Sequence, residues 1–300
     1  MQGSAALVGM AWLQVPRQAL AFPRWSGEQV ISWLDQPPAN PMPQVVGNLL
    51  QWEQLDSWLT PNDKFFTVGH YNKPNIVEKD WTLEVSGLVK RPMRFALQEL
   101  KARPRQEVIF TLECSGNHGF PWFLGGIGTA KWAGTPLAPI LQEAGVLDKG
   151  IEVVFFGTDA GQEEVRGIKM PQNFARSLSL ADAMNPSNLL CYEMNGEPLP
   201  KWNGAPARLV APGWTATYWI KALADLTVTD KPFDGFWMKT AYRVPKGMFG
   251  ASGFESQDTE QNSPITAIKV NSLVVDPAPG AVLERGRRVE VLGIAWDGGS

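Results

Sequence analysis

An irregular α+β fold, rich in strands and short of long helices, is what this sequence predicts, and two observations predict it. The first is punctuation: 29 Gly and 24 Pro in 300 residues interrupt the chain every few positions, and neither residue is tolerated well inside a helix. The second is pattern: the apolar runs are short and either alternate or are bounded by turn residues, as strands are. At 44% apolar the chain is globular and can bury a large core, with room for one big domain and a smaller companion. A net charge of -3, from 27 basic and 30 acidic residues, gives no broad positive field, so nucleic acid is set aside as a partner.

The elements follow in order. "SAALVGMAWL" (4–13) is apolar but too short to span a bilayer, and "ALA" (19–21) before Phe22-Pro23 resembles a cleavage site, so residues 1–22 read as an export leader and the expected location is periplasmic. Residues 23–44 include "QPPANPMPQ", whose prolines favour an extended arm lying over a surface. Leu50, Glu53, Gln54, Ser57 and Trp58 stand at helical offsets, predicting a short helix over 51–58 that Pro61 stops. "WTLEVSGLV" (81–89) alternates as a half-buried strand; "FALQELKAR" (95–103) makes a helical turn or two. "EVIFTLEC" (107–114) is a strand running into the turn cluster "SGNHG". "TPLAPILQEAGV" (135–146) and "SLSLADAMN" (177–185) predict helices, while "IEVVFFGTD" (151–159), "ARLVAPG" (207–213) and "ALADLTVTD" (222–230) predict strands. From residue 263 alternating strands with Pro-Gly turns suggest a separate β module, of which 38 residues are only the opening hairpins. No repeat of fixed period occurs, which excludes solenoids and propellers.

Two cysteines make no disulfide framework, although one bridge between Cys114 and Cys191 is permitted, and neither a haem-attachment nor a paired Cys-x-x-Cys signal is present. Cys114, at a strand end beside Gly116, has three readings from the residues alone. It is a buried small hydrophobe, a nucleophile with His118 as base, or a thiolate ligand for a metal whose bulky cofactor needs glycines to approach the backbone. The two histidines of the chain are His70 and His118.

Five motifs bear on that choice: "FTLECSGN" (110–117), "GIGTAKWAGTPLAPIL" (126–141), "NLLCYEMNGEPLP" (188–200), "GAPARLVAPGW" (204–214) and "WIKAL" (219–223). In this order, over most of residues 60–245, they resemble the sulfite oxidase family of molybdenum enzymes. The resemblance implies a sulfite-oxidase-type molybdopterin-binding domain at 45–262, followed over 263–300 by the start of an Ig-like β-sandwich module that in the family mediates dimerisation. It implies molybdenum-molybdopterin as cofactor, with Cys114 on the metal and Phe66, His70, Asp159, Asn203, Arg208 and Lys221 around the pterin and its phosphate. Tyr242 resembles the family's active-site tyrosine, able to hydrogen-bond the reacting oxygen or assist proton release, and Trp122 an aromatic of the substrate pocket. Each has a plainer reading: Arg208 and Lys221 as solvated surface cations, Tyr242 and Trp122 as core, and Cys191 as a buried, inert thiol.

The resemblance also has gaps. Val68 stands where the family has a sulfite-binding arginine, and His118-Gly119 stands where it has an arginine pair. Several charge-assisted hydrogen bonds of ~1.5–3 kcal/mol each are thereby lost to a dianion. Arg243, beside Tyr242, either compensates or points to solvent, and His118 suits a less anionic oxyanion, a sulfoxide or an N-oxide. The implied activity is two-electron oxygen-atom transfer on a small oxyanion or sulfoxide, with electrons leaving to an external carrier such as a c-type cytochrome. Reduction of sulfoxides or N-oxides at the same centre, and a pterin-binding module without turnover, are the alternatives.

Overall fold

A computed structural model describes residues 41–299, except 42, 44, 53, 54, 56, 72, 73, 118, 121, 166, 247–260 and 278–280. The leader, nearly all of the Pro-rich arm, part of the expected 51–58 helix and His118 therefore lie outside the described residues.

Two five-stranded sheets carry the fold. Short strands β1 (Val46–Gly47) and β2 (Thr67–Val68) pair first. β3 (Thr82–Gly87) takes the alternation of its sequence literally: Leu83 and Val85 are buried and Glu84 is exposed. β4 (Met93–Ala96) returns antiparallel to it and runs into helix α1 (Leu97–Lys101). β5 (Gln106–Glu113) and β6 (Ile127–Pro136) form a long antiparallel pair around the loop that begins at Cys114. α2 (Leu137–Ala144) buries Leu137, Ala138, Ile140, Leu141 and Ala144, the spacing of one helical face, and ends where Gly145 enters the left-handed region at φ 70°.

β7 (Glu152–Val165) and β8 (Ile168–Ser179) make the longest hairpin, followed by the single turn α3 (Leu180–Ala183). β9 (Leu189–Met194), β10 (Glu197–Pro198) and β11 (Arg208–Val210) follow, then β12 (Leu223–Thr229), the turn α4 (Phe236–Lys239), β13 (Arg243–Pro245) and β14 (Asn262–Pro264). β15 (Asn271–Asp276) and β16 (Leu292–Trp296) pair antiparallel as a two-stranded unit. The first sheet runs β4-β3-β12-β7-β8, with β3 and β12 parallel; the second runs β10-β9-β6-β5, with β11 also on β9.

Between the sheets lies one apolar core in which Trp132, Trp219, Phe65, Phe155 and Leu83 are almost wholly buried. At ~25 cal/mol per Å² buried, large apolar side chains such as these, the aromatic ones above all, are its main contributors. Strands β4, β6, β8 and β9 had no counterpart among the elements expected from sequence, and β7 runs six residues beyond the expected 151–159.

Candidate active site

Cys114 follows the last residue of β5, and the chain there is held by its own backbone. The Cys114 N–H donates to the Gly126 carbonyl at 2.7 Å, closing the base of the 114–126 loop across the β5/β6 pair. Asn117 completes the clasp: its Oδ1 accepts from the Gly126 N–H at 2.8 Å and its Nδ2 donates to Glu113 at 3.2 Å. Gly126 is required here, since a Cβ would come within 3.0 Å of Cys114 Cβ and of Asn117 Oδ1. Ser115 is tied to Thr217 at 2.8 Å, and Glu113 accepts from the Trp296 indole at 2.9 Å, which links β16 to the residue beside the thiol. The thiol itself is 6% exposed, accepts weakly from the Gly116 N–H at 3.4 Å, and is pushed by burial up to about 12.

Cys114 lines a cavity of about 40 Å³ together with Phe66, Val68, His70, Asn203, Arg208 and Lys221. Different parts of the chain deliver these side chains. Phe66, Val68 and His70 come from β2 and its flanks, Asn203 from a 3-10 turn at Lys201–Asn203, and Arg208 from β11. Lys221 precedes β12, in a segment stitched to the β11 region by Leu209 N–H to Ile220 O and Ala222 N–H to Gly204 O. Gly204 adopts φ 109°, and a Cβ there would meet the Lys221 backbone at 3.0 Å.

Arg208 is 2% exposed, not a surface cation: two of its nitrogens donate to the Asn203 and Trp219 carbonyls at 2.8 Å, while Nε has no partner. Burial lowers it to about 10 and lowers Lys221 to about 8; the Lys221 ammonium donates to the Val68 carbonyl. Asp159 reaches the same region through an irregularity. Between Phe156↔Ala175 and Ala160↔Asn173, three residues of β7 face one of β8, and the bulge turns Asp159 inward beside Lys221 in a small adjoining cavity. Its Oδ1 is buried without a hydrogen-bond partner, and burial raises its pKa.

His70, also in this lining, shares through Nε2 a 2.6 Å hydrogen bond with the Tyr242 hydroxyl. The imidazole stacks on Phe174 at 4.2 Å and meets the Trp237 edge at 4.6 Å; burial, then Lys221 and Arg176, lower its pKa to about 3, so it is neutral, and its tautomer decides which of the pair donates. Tyr242 sits at φ 56°, a left-handed conformation that a bulky residue adopts only when its surroundings impose it.

The structure thus brings Phe66, His70, Asn203, Arg208, Lys221 and Cys114 around one cavity, with Asp159 and Tyr242 adjoining. Trp122 lies outside this lining: its ring stacks on Phe120 at 5.7 Å and packs edge-on against Phe123. Nor does Arg243 point to solvent. It is 6% exposed, with Nε on Asn262 at 2.6 Å and another nitrogen on the Met238 carbonyl. Both cysteines are free, and Cys191, wholly buried on β9, matches the expected inert thiol. Sequence reasoning missed Arg176, a fully buried guanidinium on β8, and the clasp role of Asn117.

Comparison with known proteins bears on the domain as a whole. Residues 70–237 match the oxidoreductase molybdopterin binding domain. Mitochondrial sulfite oxidase of Drosophila melanogaster is 32% identical over 261 residues (81% of this chain, 44% of that protein), and sulfite oxidase of Gallus gallus 34% identical over 260 (81% and 54%). The chain spans about half the length of these relatives. The sulfane dehydrogenase SoxCD from Paracoccus pantotrophus superposes with a TM-score of 0.68 at 25% identity, covering 89% of this chain and 65% of that one. A cavity built on a motif cysteine, the matched domain and these relatives agree: the chain belongs to the sulfite oxidase family of molybdopterin-binding oxidoreductases.

Proposed function

We propose that this protein carries out two-electron oxygen-atom transfer on a small substrate, in the manner of a sulfite oxidase or dehydrogenase, at a molybdenum-molybdopterin centre held by Cys114. One observation carries the reading: the cysteine of "FTLECSGN" shares a cavity with Asn203 and two cations, Lys221 and the buried Arg208, whose Nε has no hydrogen-bond partner.

The donor set fits the cofactor. Cys114 offers a soft sulfur to the metal, whose other sulfurs the pterin dithiolene provides. Arg208, with its unpartnered Nε, and Lys221 suit the cofactor phosphate; Asp159, with its orphaned oxygen, and Asn203 and His70 suit polar pterin edges; Phe66 offers an apolar face. Volume is the exception. About 40 Å³ falls well short of the ~300 Å³ or more usual for a ligand pocket, so flexible side chains such as Lys221 must swing aside to admit the group.

The bound group supplies the two-electron change and the exchange of one oxygen atom. The chain's residues do the rest. Asn117 and Gly126 fix the thiol at the pocket wall. Tyr242, hydrogen-bonded to neutral His70, would hold or release a proton at the reacting oxygen, and His118 would orient substrate. Oxidation of sulfite by water to sulfate releases two protons and two electrons, which pass singly to an external carrier such as a c-type cytochrome.

The remaining expectations belong to the same proposal: an exported, periplasmic protein; a molybdopterin-binding domain at 45–262; and β15–β16 as the opening of an Ig-like module through which two copies pair. Elemental analysis of the purified protein, followed by electron paramagnetic resonance after adding sulfite, tests the function. A molybdenum signal elicited by sulfite supports it. Turnover of methionine sulfoxide with a reduced donor, without a response to sulfite, would replace it with the reductase reading; molybdenum that neither substrate reduces or oxidises would leave a binding module.

A further inference from the structure

We propose that Arg176 determines the charge specificity of this pocket: a buried guanidinium with no carboxylate partner, set behind Tyr242 and His70, that selects an anionic oxyanion over a neutral compound of the same shape. The inference rests on the proposed function and names the substrate class of that same site.

Alternation along β8 places Phe174 and Arg176 on one face, so the guanidinium rises on the side where the Phe174 ring covers His70. Arg176 is 0% exposed and makes no ion pair among the described residues. Its bonds are to neutral oxygens: the Trp237 carbonyl at 2.7 Å, the Tyr218 hydroxyl at 2.9 Å and the Ile265 carbonyl at 3.3 Å; Nε has no partner, and the group stacks on the Tyr218 ring at 4.3 Å.

These contacts lead to Tyr242 by two routes. Ile265, whose carbonyl Arg176 holds, donates its N–H to the Tyr242 carbonyl at 2.8 Å, and Trp237, held by the other nitrogen, packs against both His70 and Tyr242. Arg176 is thus a positioning residue that fixes the left-handed Tyr242. Its charge reaches that end of the pocket as well, since it is among the causes that disfavour protonated His70 and favour ionised Tyr242.

An unpaired cation buried in low dielectric is costly, and an anion arriving nearby recovers part of that cost, whereas a neutral ligand does not. The ionisable groups acting on the His70–Tyr242 pair are Arg176, Lys221 and the Cys114 thiol, of which the thiol is neutral. Lys221 and Arg208 are assigned to the cofactor end and Arg243 is engaged by Asn262 and the Met238 carbonyl, which leaves Arg176, with its unpartnered Nε, as the cation for substrate.

The test uses the cofactor-loaded protein and two inert tetrahedral probes, sulfate and dimethyl sulfone, with binding measured calorimetrically so that no turnover is needed. The wild type is expected to prefer sulfate by at least about tenfold. Arg176→Met is expected to weaken sulfate by at least about tenfold while leaving the sulfone within about threefold, and Arg176→Lys to keep most of the preference. A purely structural Arg176 would weaken both probes alike. Equal wild-type affinity for the two probes, or undiminished sulfate binding in Arg176→Met, overturns the inference; if the Met variant does not fold, the wild-type ratio and the Lys variant decide. Failure to reduce molybdenum with any substrate would instead overturn the proposed function, which this binding ratio does not touch.

Discussion

Asn117→Ala tests whether the clasp below the thiol is built as described. The side chain makes two buried bonds, accepting from Gly126 N–H at 2.8 Å and donating to Glu113 at 3.2 Å. Alanine leaves the Gly126 N–H without a partner, at ~1–3 kcal/mol, while Glu113 keeps its bond from Trp296 and loses only the longer contact, worth ~0.5–1.5 kcal/mol. The sum, about 1.5–4.5 kcal/mol, corresponds to a fall in Tm of ~2–7 °C for a chain of 300 residues. Thermal unfolding by circular dichroism gives the first number and molybdenum content of the purified protein the second. Both are expected to fall, because the same bonds that stabilise the loop set where the sulfur sits. A Tm within about a degree of wild type with undiminished molybdenum would refute the reasoning; a lowered Tm with full loading would separate stability from positioning.

Other outcomes follow from the same geometry. Cys114→Ser is expected to fold, with a Tm within a few degrees of wild type since the side chains are near-isosteric, yet to purify without bound molybdenum by elemental analysis. His70 is lowered to about 3 in the folded state against an ordinary 6.5, so the unfolded chain binds the extra proton between those values. Stability is therefore lost as pH falls through that window, and His70→Gln should flatten the slope measured by urea unfolding at pH 4–6.5 relative to wild type. Trp296→Phe removes the indole donor to Glu113 and should cost about 1–3 kcal/mol by denaturant titration, with stacking on Trp52 largely kept. No change in that titration would show that β16 is not anchored to the motif.

How much of this was legible in the sequence depends on what each residue's neighbours looked like. Cys114 was placed at a strand end because an apolar alternating run met a Gly-rich turn, and β3, β5, β12 and α2 carried equally plain periodicity. The β7–β8 hairpin did not: after Asp159 the chain reads "AGQEEVRGIKMPQN", polar and interrupted by Pro171, yet Ala160–Val165 pairs with Ile168–Asn173, and the sequence is polar because one face of the hairpin is exposed. Arg176 was hidden for the same reason. A cation in a short polar-looking stretch suggests surface, and only the tertiary arrangement of Trp237, Tyr218 and Ile265 makes a buried place for it. The site residues were found by their motifs, whereas Arg208's burial and the Asp159 bulge are consequences of strand registry that no local pattern announces.

The irregularity in β7 has a further consequence for how such a pocket is acquired. With three residues opposite one, the excess is two, an even number, so the ladders before and after it keep the same sides toward core and water. A two-residue deletion there would leave an unbroken hairpin lacking the inward carboxylate, and a two-residue insertion into a plain hairpin would create one. The acid of this cavity is thus a detachable part, gained or lost without asking the sheet to turn over.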